Sequence, residues 1–314
     1  MKKILVTGGC GYVGTVLVNK LIENNYFVDV IDTQWFGNKL EDNPKLKIYK
    51  NDIRDIESID FSNIDTVFHL ANIANDPGVE LNPMLSWEVN VLAGISLIEK
   101  CIENKVSEFI FASSGSVYGI KEEENVTEDL KLLPISTYNK TKMAAERVFL
   151  SYSDRINVKI IRPATVCGLS PRMRFDVSVN MFALQAFTNK NMTVLGGKQV
   201  RPNIHVEDLV NIYLFFLENK FNFSDIFNAG FENISIMDIA NLVKKHCNSN
   251  IEIKKSNDPR SYRQNSDKLI NLGFSPSKNV ENAIEEIINA LKKGHIKGHL
   301  SCHTVKWMRE LNLR

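Results

Sequence analysis

Apolar positions in the first half of the chain fall into short, β-branched runs at 3–7, 27–32, 47–50, 66–70, 108–112 and 158–162. Runs this short and this continuous predict strands buried on both faces rather than strands with one wet face. Between them apolar residues recur at three- and four-residue spacing over 13–24, 83–103 and 136–153, which predicts helices. Strand, helix, strand in that order gives an α/β fold, a doubly wound parallel sheet with helices on both faces. The alternation weakens after Arg162-Pro163, where loops rich in Arg, Asn, Gly and Pro take over, and helical spacing returns at 179–188, 206–218, 235–245 and 280–292. A domain change is therefore expected near residue 165. Residues 1–165 would form the first domain, rejoined by about 204–230, and 166–314 a smaller, mixed α/β second domain.

Composition narrows the class without naming it. With 314 residues, 44% hydrophobic and 24% charged, the chain can bury a sizeable core. A formal charge of +1 gives no support to nucleic acid or an anionic membrane as partner. The cysteines Cys10, Cys101, Cys167, Cys247 and Cys302 are scattered and form no CxxC pair, so a reduced, cytoplasmic protein without disulfides is expected. The apolar start ends at Thr7-Gly8-Gly9, before a signal-peptide core would be complete. The stretch 209–217 is interrupted by Asn211 and falls far short of the roughly 20 residues that span a bilayer, so no membrane segment is expected.

Gly8-Gly9-Cys10-Gly11-Tyr12-Val13-Gly14 follows the first predicted strand and opens the first predicted helix. Glycines at these places allow a tight turn, close approach of a pyrophosphate, and helix amides aimed at it. The steric needs of the turn alone would also ask for glycine. Asp32, however, ends the second strand, where a carboxylate accepts from the adenine ribose hydroxyls of a dinucleotide. That carboxylate repels a 2′-phosphate, and Thr33-Gln34-Trp35 offers no Arg to hold one, so NAD is expected rather than NADP.

Tyr138 and Lys142 stand four residues apart on a predicted helix and so share one face. A nearby cation favours phenolate; bringing a phenol from about 10 toward 7 takes roughly 4 kcal/mol. Such a Tyr is a competent general base for a sugar hydroxyl. Upstream, Ser113-Ser114-Gly115-Ser116 leaves the fifth strand as a small hydroxyl-rich loop, from which Ser114 would hold the reacting oxygen against Tyr138.

With these motifs in order, the chain resembles, over nearly its whole length, the extended short-chain dehydrogenase/reductases, in the branch of nucleotide-sugar epimerases, dehydratases and dehydrogenases. The resemblance implies a Rossmann cofactor domain and assigns Ser114, Tyr138 and Lys142 as catalytic, with Lys142 also on the nicotinamide ribose. It places Gly8, Gly11, Tyr12, Val13 and Gly14 in the NAD loop, Asp52 and Ile53 against the adenine, and Leu70, Ala71 and Pro163 along the cofactor. For the nucleotide sugar it implies Ser114, Ser116, Thr165, Arg174, Arg201, Arg260 and Arg263. Planar guanidinium groups suit a diphosphate. Arg172 belongs to the same run of arginines but is not assigned.

Members of this branch begin alike, with the Tyr removing the C4 hydroxyl proton as the C4 hydride leaves to the nicotinamide. The dehydratases carry an Asp-Glu pair after the catalytic hydroxyl; here Gly115 and Ser116 stand there, and neither shuttles a proton at neutral pH. Dehydration is disfavoured, which leaves epimerase and dehydrogenase. The stretches 162–168, 201–208 and 258–263 look most like a bacterial branch acting on GDP-heptose in capsule polysaccharide synthesis, of the GDP-manno-heptose 4-dehydrogenase type. Thr165 and Asn203 depart from the wider pattern, which has Asn and an aromatic at those places. The expectation is thus NAD-dependent C4 oxidation of a nucleotide sugar, with 4-epimerase as the alternative. An NAD-sensing protein without catalysis is the rival from another class.

His295, His299, Cys302 and His303 recur at short spacing, but Gly294 and Gly298 break the helix that would align them, no carboxylate accompanies them, and the chemistry needs no metal. No metal is expected, and this region reads as a solvated tail. A homo-oligomer is expected through the helices at 83–103 and 136–153, the second offering Ala144, Ala145, Val148, Phe149 and Tyr152 as apolar surface. NAD is expected to remain tightly bound.

Overall fold

The computed structural model describes residues 2–219, 221–255 and 261–312. Six of the predicted runs become strands β1 (Lys3–Thr7), β2 (Phe27–Asp32), β3 (Leu46–Lys50), β4 (Ile64–His69), β5 (Glu108–Ala112) and β6 (Asn157–Pro163). Further strands follow at β7 (Thr165–Cys167), β8 (Asn191–Leu195), β9 (Val200–His205), β10 (Asp225–Ala229), β11 (Glu232–Ser235) and β12 (Asn250–Lys254). The large sheet has the order β10-β6-β5-β4-β1-β2-β3, with all its pairings parallel. The chain winds outward from β1 in both directions, so the sheet reverses between β1 and β4. Open α/β sheets bind ligands at such a switch point, beyond the carboxyl ends of the strands.

Helices cover both faces. On one, α1 (Tyr12–Glu23) and α7 (Val206–Asn219) pack Val18, Leu21, Leu209 and Tyr213 against Ile4, Val6 and Phe68. On the other, α4 (Ala93–Glu103) and α5 (Thr137–Leu150) pack Leu97, Ile98 and Phe149 against Leu5, Val67 and Phe109. Strand residues of consecutive number thus point to opposite layers, as the pleat requires. β10 and α7 belong to this sheet and its cover although they follow residue 165.

The smaller part carries the sheet β11-β9-β7 and the pair β12-β8. Helices α6 (Ser178–Asn189), α8 (Ile236–His246) and α10 (Val280–Lys292) bury Phe182, Ala183, Ile239, Val243, Ile284 and Ile287 around one core. α9 (Asp267–Asn271) and α11 (Thr304–Glu310) complete the described helices beyond residue 165.

Two departures from the sequence expectation bear on function. The run 83–103 is not one regular helix: α3 (Pro83–Trp87) and α4 flank a π-helical turn at Glu88–Leu92. Wide turns of this kind often sit at functional sites. Here the turn lets buried Asn90 reach the loop after β4, accepting from Ile73 N at 2.7 Å and donating to Ile73 O at 3.2 Å. The region after residue 299 is not a solvated tail either. Thr304 and Met308, one helical turn apart in α11, are 3% and 2% exposed, and Trp307 Nε1 donates to Trp35 O at 2.6 Å. A seven-residue helix with two buried positions leaves too little periodicity to be read from sequence.

Candidate active site

A cleft of about 410 Å³ opens at the switch point, between the carboxyl ends of the central strands and the smaller lobe. The glycine loop forms its floor. Gly8 has φ +72°, and a Cβ there would lie 2.7 Å from Ala71 N. At Gly14 a Cβ would lie 2.3 Å from Gly8 O, so α1 can start this close to the strand only without a side chain. Gly11, Val13 and Tyr12 also line the cleft. Tyr12 has little freedom to bind a ligand by its hydroxyl, which donates to Gly168 O at 2.8 Å and accepts from Asn180 Nδ2 at 3.0 Å. Its ring belongs to the core of the smaller lobe, so Tyr12 pins the two lobes together at the cofactor loop.

Asp32 sits at the end of β2, and its carboxylate accepts from Cys10 N at 3.0 Å and Gln34 N at 2.7 Å. Burial raises its pKa, against the lowering effect of those two bonds. Asp52 and Ile53 lie beside it. Burial works to raise the Asp52 carboxyl too, but Arg54, donating at 3.0 and 3.1 Å, outweighs it and leaves the group below the usual range. Leu70, Ala71 and Pro163 line the wall from the ends of β4 and β6.

At the far end Ser114, Ser116, Tyr138 and Lys142 meet. The Ser136 side chain caps α5 by accepting from Asn139 N at 3.2 Å, which sets the helix start and so the heights of Tyr138 and Lys142 one turn apart. Ser114 Oγ lies 2.7 Å from Ser116 Oγ, and Ser114 also hydrogen-bonds the Tyr138 phenol. Lys142 Nζ donates to Ala112 O at 2.8 Å and lies 6.0 Å from the Tyr138 ring centre. Desolvation lowers the Lys142 ammonium to about 7, against the Glu146 charge, which raises it. Tyr138 departs from the sequence expectation of a depressed phenol: burial pushes it up to about 12, although the Arg174 charge and the Ser114 bond both favour phenolate. The protein's own groups do not by themselves make Tyr138 a base.

Thr165 and Arg174 also line the cleft. Arg201 and Arg263 do not. Arg201 gives Nη1 to its neighbour's carbonyl, Val200 O, at 3.2 Å, and Arg263 is exposed. Arg260 lies outside the described residues. Arg172, Asp76 and Thr304 are among the cleft residues left unassigned from sequence. Arg172 is 6% exposed, stacks 4.1 Å from the Phe36 ring centre, and its Nε has no hydrogen-bond partner. Burial, with the Arg174 charge second, lowers it to about 10. Asp76 accepts from Ser136 Oγ at 2.6 Å, and Thr304 closes one edge. Only Arg172 had a signal in the sequence, as a member of the arginine run.

The residues present fit a dinucleotide: a glycine cradle with no room for Cβ atoms, a carboxylate at the end of β2, and two guanidiniums, the buried Arg172 with an unpartnered nitrogen and the partly buried Arg174, suited to anionic phosphate. His205, Glu207 and Glu286 are the described residues whose ligand atoms come within 4.8 Å of one another, and Lys278 Nζ already bonds Glu286 at 2.7 Å there. Among the described residues no helix is long and apolar enough to cross a membrane.

A doubly wound sheet with a glycine loop, an acidic strand end and a Ser, Tyr and Lys set defines a nucleotide-dependent oxidoreductase of the short-chain type. Residues 4–230 match the NAD dependent epimerase/dehydratase family. The chain belongs to that family, and is an NAD-dependent enzyme. It is 30% identical, over 93% of its length and 99% of the relative's, to a putative UDP-glucose 4-epimerase of Methanocaldococcus jannaschii. It is equally 30% identical to a UDP-glucose 4-epimerase of Lactobacillus helveticus, over 95% and 99% of the two chains. The structure of UDP-glucuronic acid 4-epimerase from Bacillus cereus, bound to UDP-glucuronic acid and NAD, superposes with a TM-score of 0.81 at 28% identity, covering 93% of this chain and 99% of that one.

Proposed function

We propose that the protein is a UDP-sugar 4-epimerase. The observation that carries this reading is the composition of the catalytic end: Ser114, Tyr138 and Lys142 converge there, and the places that follow Ser114 hold Gly115 and Ser116, which supply no second acid. A Cβ on Gly115 would lie 2.9 Å from Gln264 Oε1, and Ser116 is tied to Ser114. Tyr138 takes the proton of the C4 hydroxyl while Ser114 holds that oxygen. NAD, when bound, supplies the acceptor for the C4 hydride. Lys142 holds charge beside the phenol, and Arg172 and Arg174 face the phosphates. The relatives support UDP-sugars, and 4-epimerisation, in place of the GDP-heptose dehydrogenase expected from sequence.

Mass spectrometry of UDP-, GDP-, dTDP- and CDP-sugars incubated with the enzyme tests this. An isomer of unchanged mass from a UDP-sugar is expected. A product lighter by two hydrogens would make the enzyme a dehydrogenase, and loss of water would overturn the reading of Gly115.

We also propose a cytoplasmic homo-oligomer. The apolar face expected on α5 is smaller than the sequence suggests, because Ala145 and Phe149 are fully buried in the protein's own core. Ala144, Val148 and Tyr152 remain partly buried beside the π-helical turn, where Met84 and Leu92 are 70% and 56% exposed. Light scattering at micromolar protein should report more than a monomer; a monomer refutes it.

A further inference from the structure

Asp176 joins three segments that surround the cleft. Its Oδ1 accepts from Arg174 Nε at 2.9 Å, on the loop after β7. Its Oδ2 accepts from the backbone amide of Thr304, the first residue of α11, at 3.0 Å. The same Oδ2 lies 3.4 Å from Asn75 Nδ2. Asn75 is held at φ 67°, a conformation L-residues rarely adopt, and also caps the short α2 (Asp76–Val79) by accepting from Gly78 N at 2.8 Å. The chain around α11 spans the cleft. Trp307 bonds the Trp35 carbonyl beyond β2, Met308 lies in the large-sheet core near Gly78, and Cys302 O accepts from Phe175 N on the other side at 2.8 Å. Thr304 and Met308 themselves line the cleft, as does Arg174.

We propose that Asp176 is a positioning residue through which the C-terminal segment, once strapped across the cofactor cleft, holds Arg174 at the Tyr138 end, so that retaining the dinucleotide and poising the base become one event. The Arg174 charge is the strongest influence favouring phenolate at Tyr138. Among the described residues Asp176 is the carboxylate that holds that guanidinium, and Asp176 is itself fixed from α11 and Asn75. The proposal rests on the NAD reading of the cleft but not on the identity of the sugar.

Thr304→Pro tests it with little disturbance elsewhere. Proline is favoured at the first helical position, and His303, at φ −113° and ψ 94°, already has the extended backbone that precedes proline. The change removes the amide that Asp176 accepts together with the buried Thr304 hydroxyl, and Thr304→Val, which loses the hydroxyl alone, separates the two. Release of bound NAD, followed by trapping the freed nucleotide, should quicken about tenfold on loss of one charge-assisted hydrogen bond. The rising limb of kcat against pH should move to higher pH, as Tyr138 loses the Arg174 charge. Asp176→Asn should do both. Trp307→Phe, which removes only the bond to Trp35, should quicken release by a smaller factor. Wild-type release and pH profile in Thr304→Pro would overturn the proposal, as would a pH shift without faster release. The release measurement uses no sugar, so it stands apart from the epimerase assignment.

Discussion

Glu146→Gln is the most informative single change, because Glu146 is 1% exposed and serves two cations at once. It accepts from Arg162 Nε at 3.0 Å and Nη2 at 2.8 Å, and from Ser113 Oγ. It also stands one turn beyond Lys142 on α5, where its charge props up the buried ammonium. Gln keeps the shape but turns an NH₂ toward a guanidinium that is 2% exposed. Breaking one side of a buried pair costs about 3–5 kcal/mol. For a chain of this size that lowers the melting temperature by roughly 5–8 °C. The second consequence is a shift in the pH dependence of cofactor binding. Lys142 titrates near 7 in the free protein, and the nucleotide's ribose hydroxyls and phosphates favour the ammonium, so the bound value is higher. Affinity is therefore full below the free value and falls as pH rises above about 7. Without the Glu146 charge the free value drops, and the fall begins at lower pH. NADH titration of nucleotide-stripped protein between about pH 5.5 and 9, with thermal melting alongside, reads both. An unchanged melting point or an unchanged onset would refute the argument.

Asp32→Asn should weaken NAD by about tenfold or more, since a charged acceptor for the ribose is lost and the single Asn oxygen can keep only one of the two backbone bonds, to Cys10 or to Gln34; equal affinity in a binding titration would remove Asp32 from the site. Because burial raises the Asp32 carboxyl, wild-type affinity should also decline on the acid side at a higher pH than for an ordinary Asp, and the variant should lose that decline. Tyr138→Phe should abolish turnover while leaving NAD bound, as measured by nucleotide release on denaturation; a variant with normal turnover would move the base elsewhere. Gly14→Ala drives a Cβ into Gly8 O and Gly9 Cα, so cofactor binding should be lost and the melting temperature reduced; a fully loaded, stable variant would refute the close approach.

The sheet and the catalytic end were legible because their causes are local. Continuous apolar runs mark strands buried on both faces, a tight turn demands glycine, and Tyr138 and Lys142 meet because a helix places residues four apart together. What escaped was what distant segments bring together. Arg201 and Arg263 were expected to bind substrate together with Arg174, yet their own strand and loop carry them off the cleft wall, while the unassigned Arg172 enters it beside Arg174 from the loop after β7. Asp176 and Thr304 are 128 positions apart, and no spacing rule links them. Phe149 looked like surface because apolar residues on α5 form one stripe in sequence, but part of that stripe packs on Phe109 and Phe111 in the protein's own core.

The structure also shows why a Tyr and Lys pair in sequence is not yet a base. Enclosure raises Tyr138 to about 12 and drops Lys142 to about 7, so in the protein alone the proton is held on the phenol and the ammonium is weakened. Both shifts have burial as their first cause, and in the proposed reaction burial is also what would exclude water from a C4 ketone. The same enclosure that protects the intermediate opposes the ionisation that produces it. The remedy has to be charge, delivered where solvent is absent and therefore strongly felt. Two cations provide it, each steered by a carboxylate behind it: Lys142 by Glu146 within α5, and Arg174 by Asp176 two residues further along its loop. The first pair is fixed in the folded core. The second is local to its loop but is braced by the Thr304 amide on Asp176, so the segment that borders the cleft and the cation that favours phenolate are held by one carboxylate.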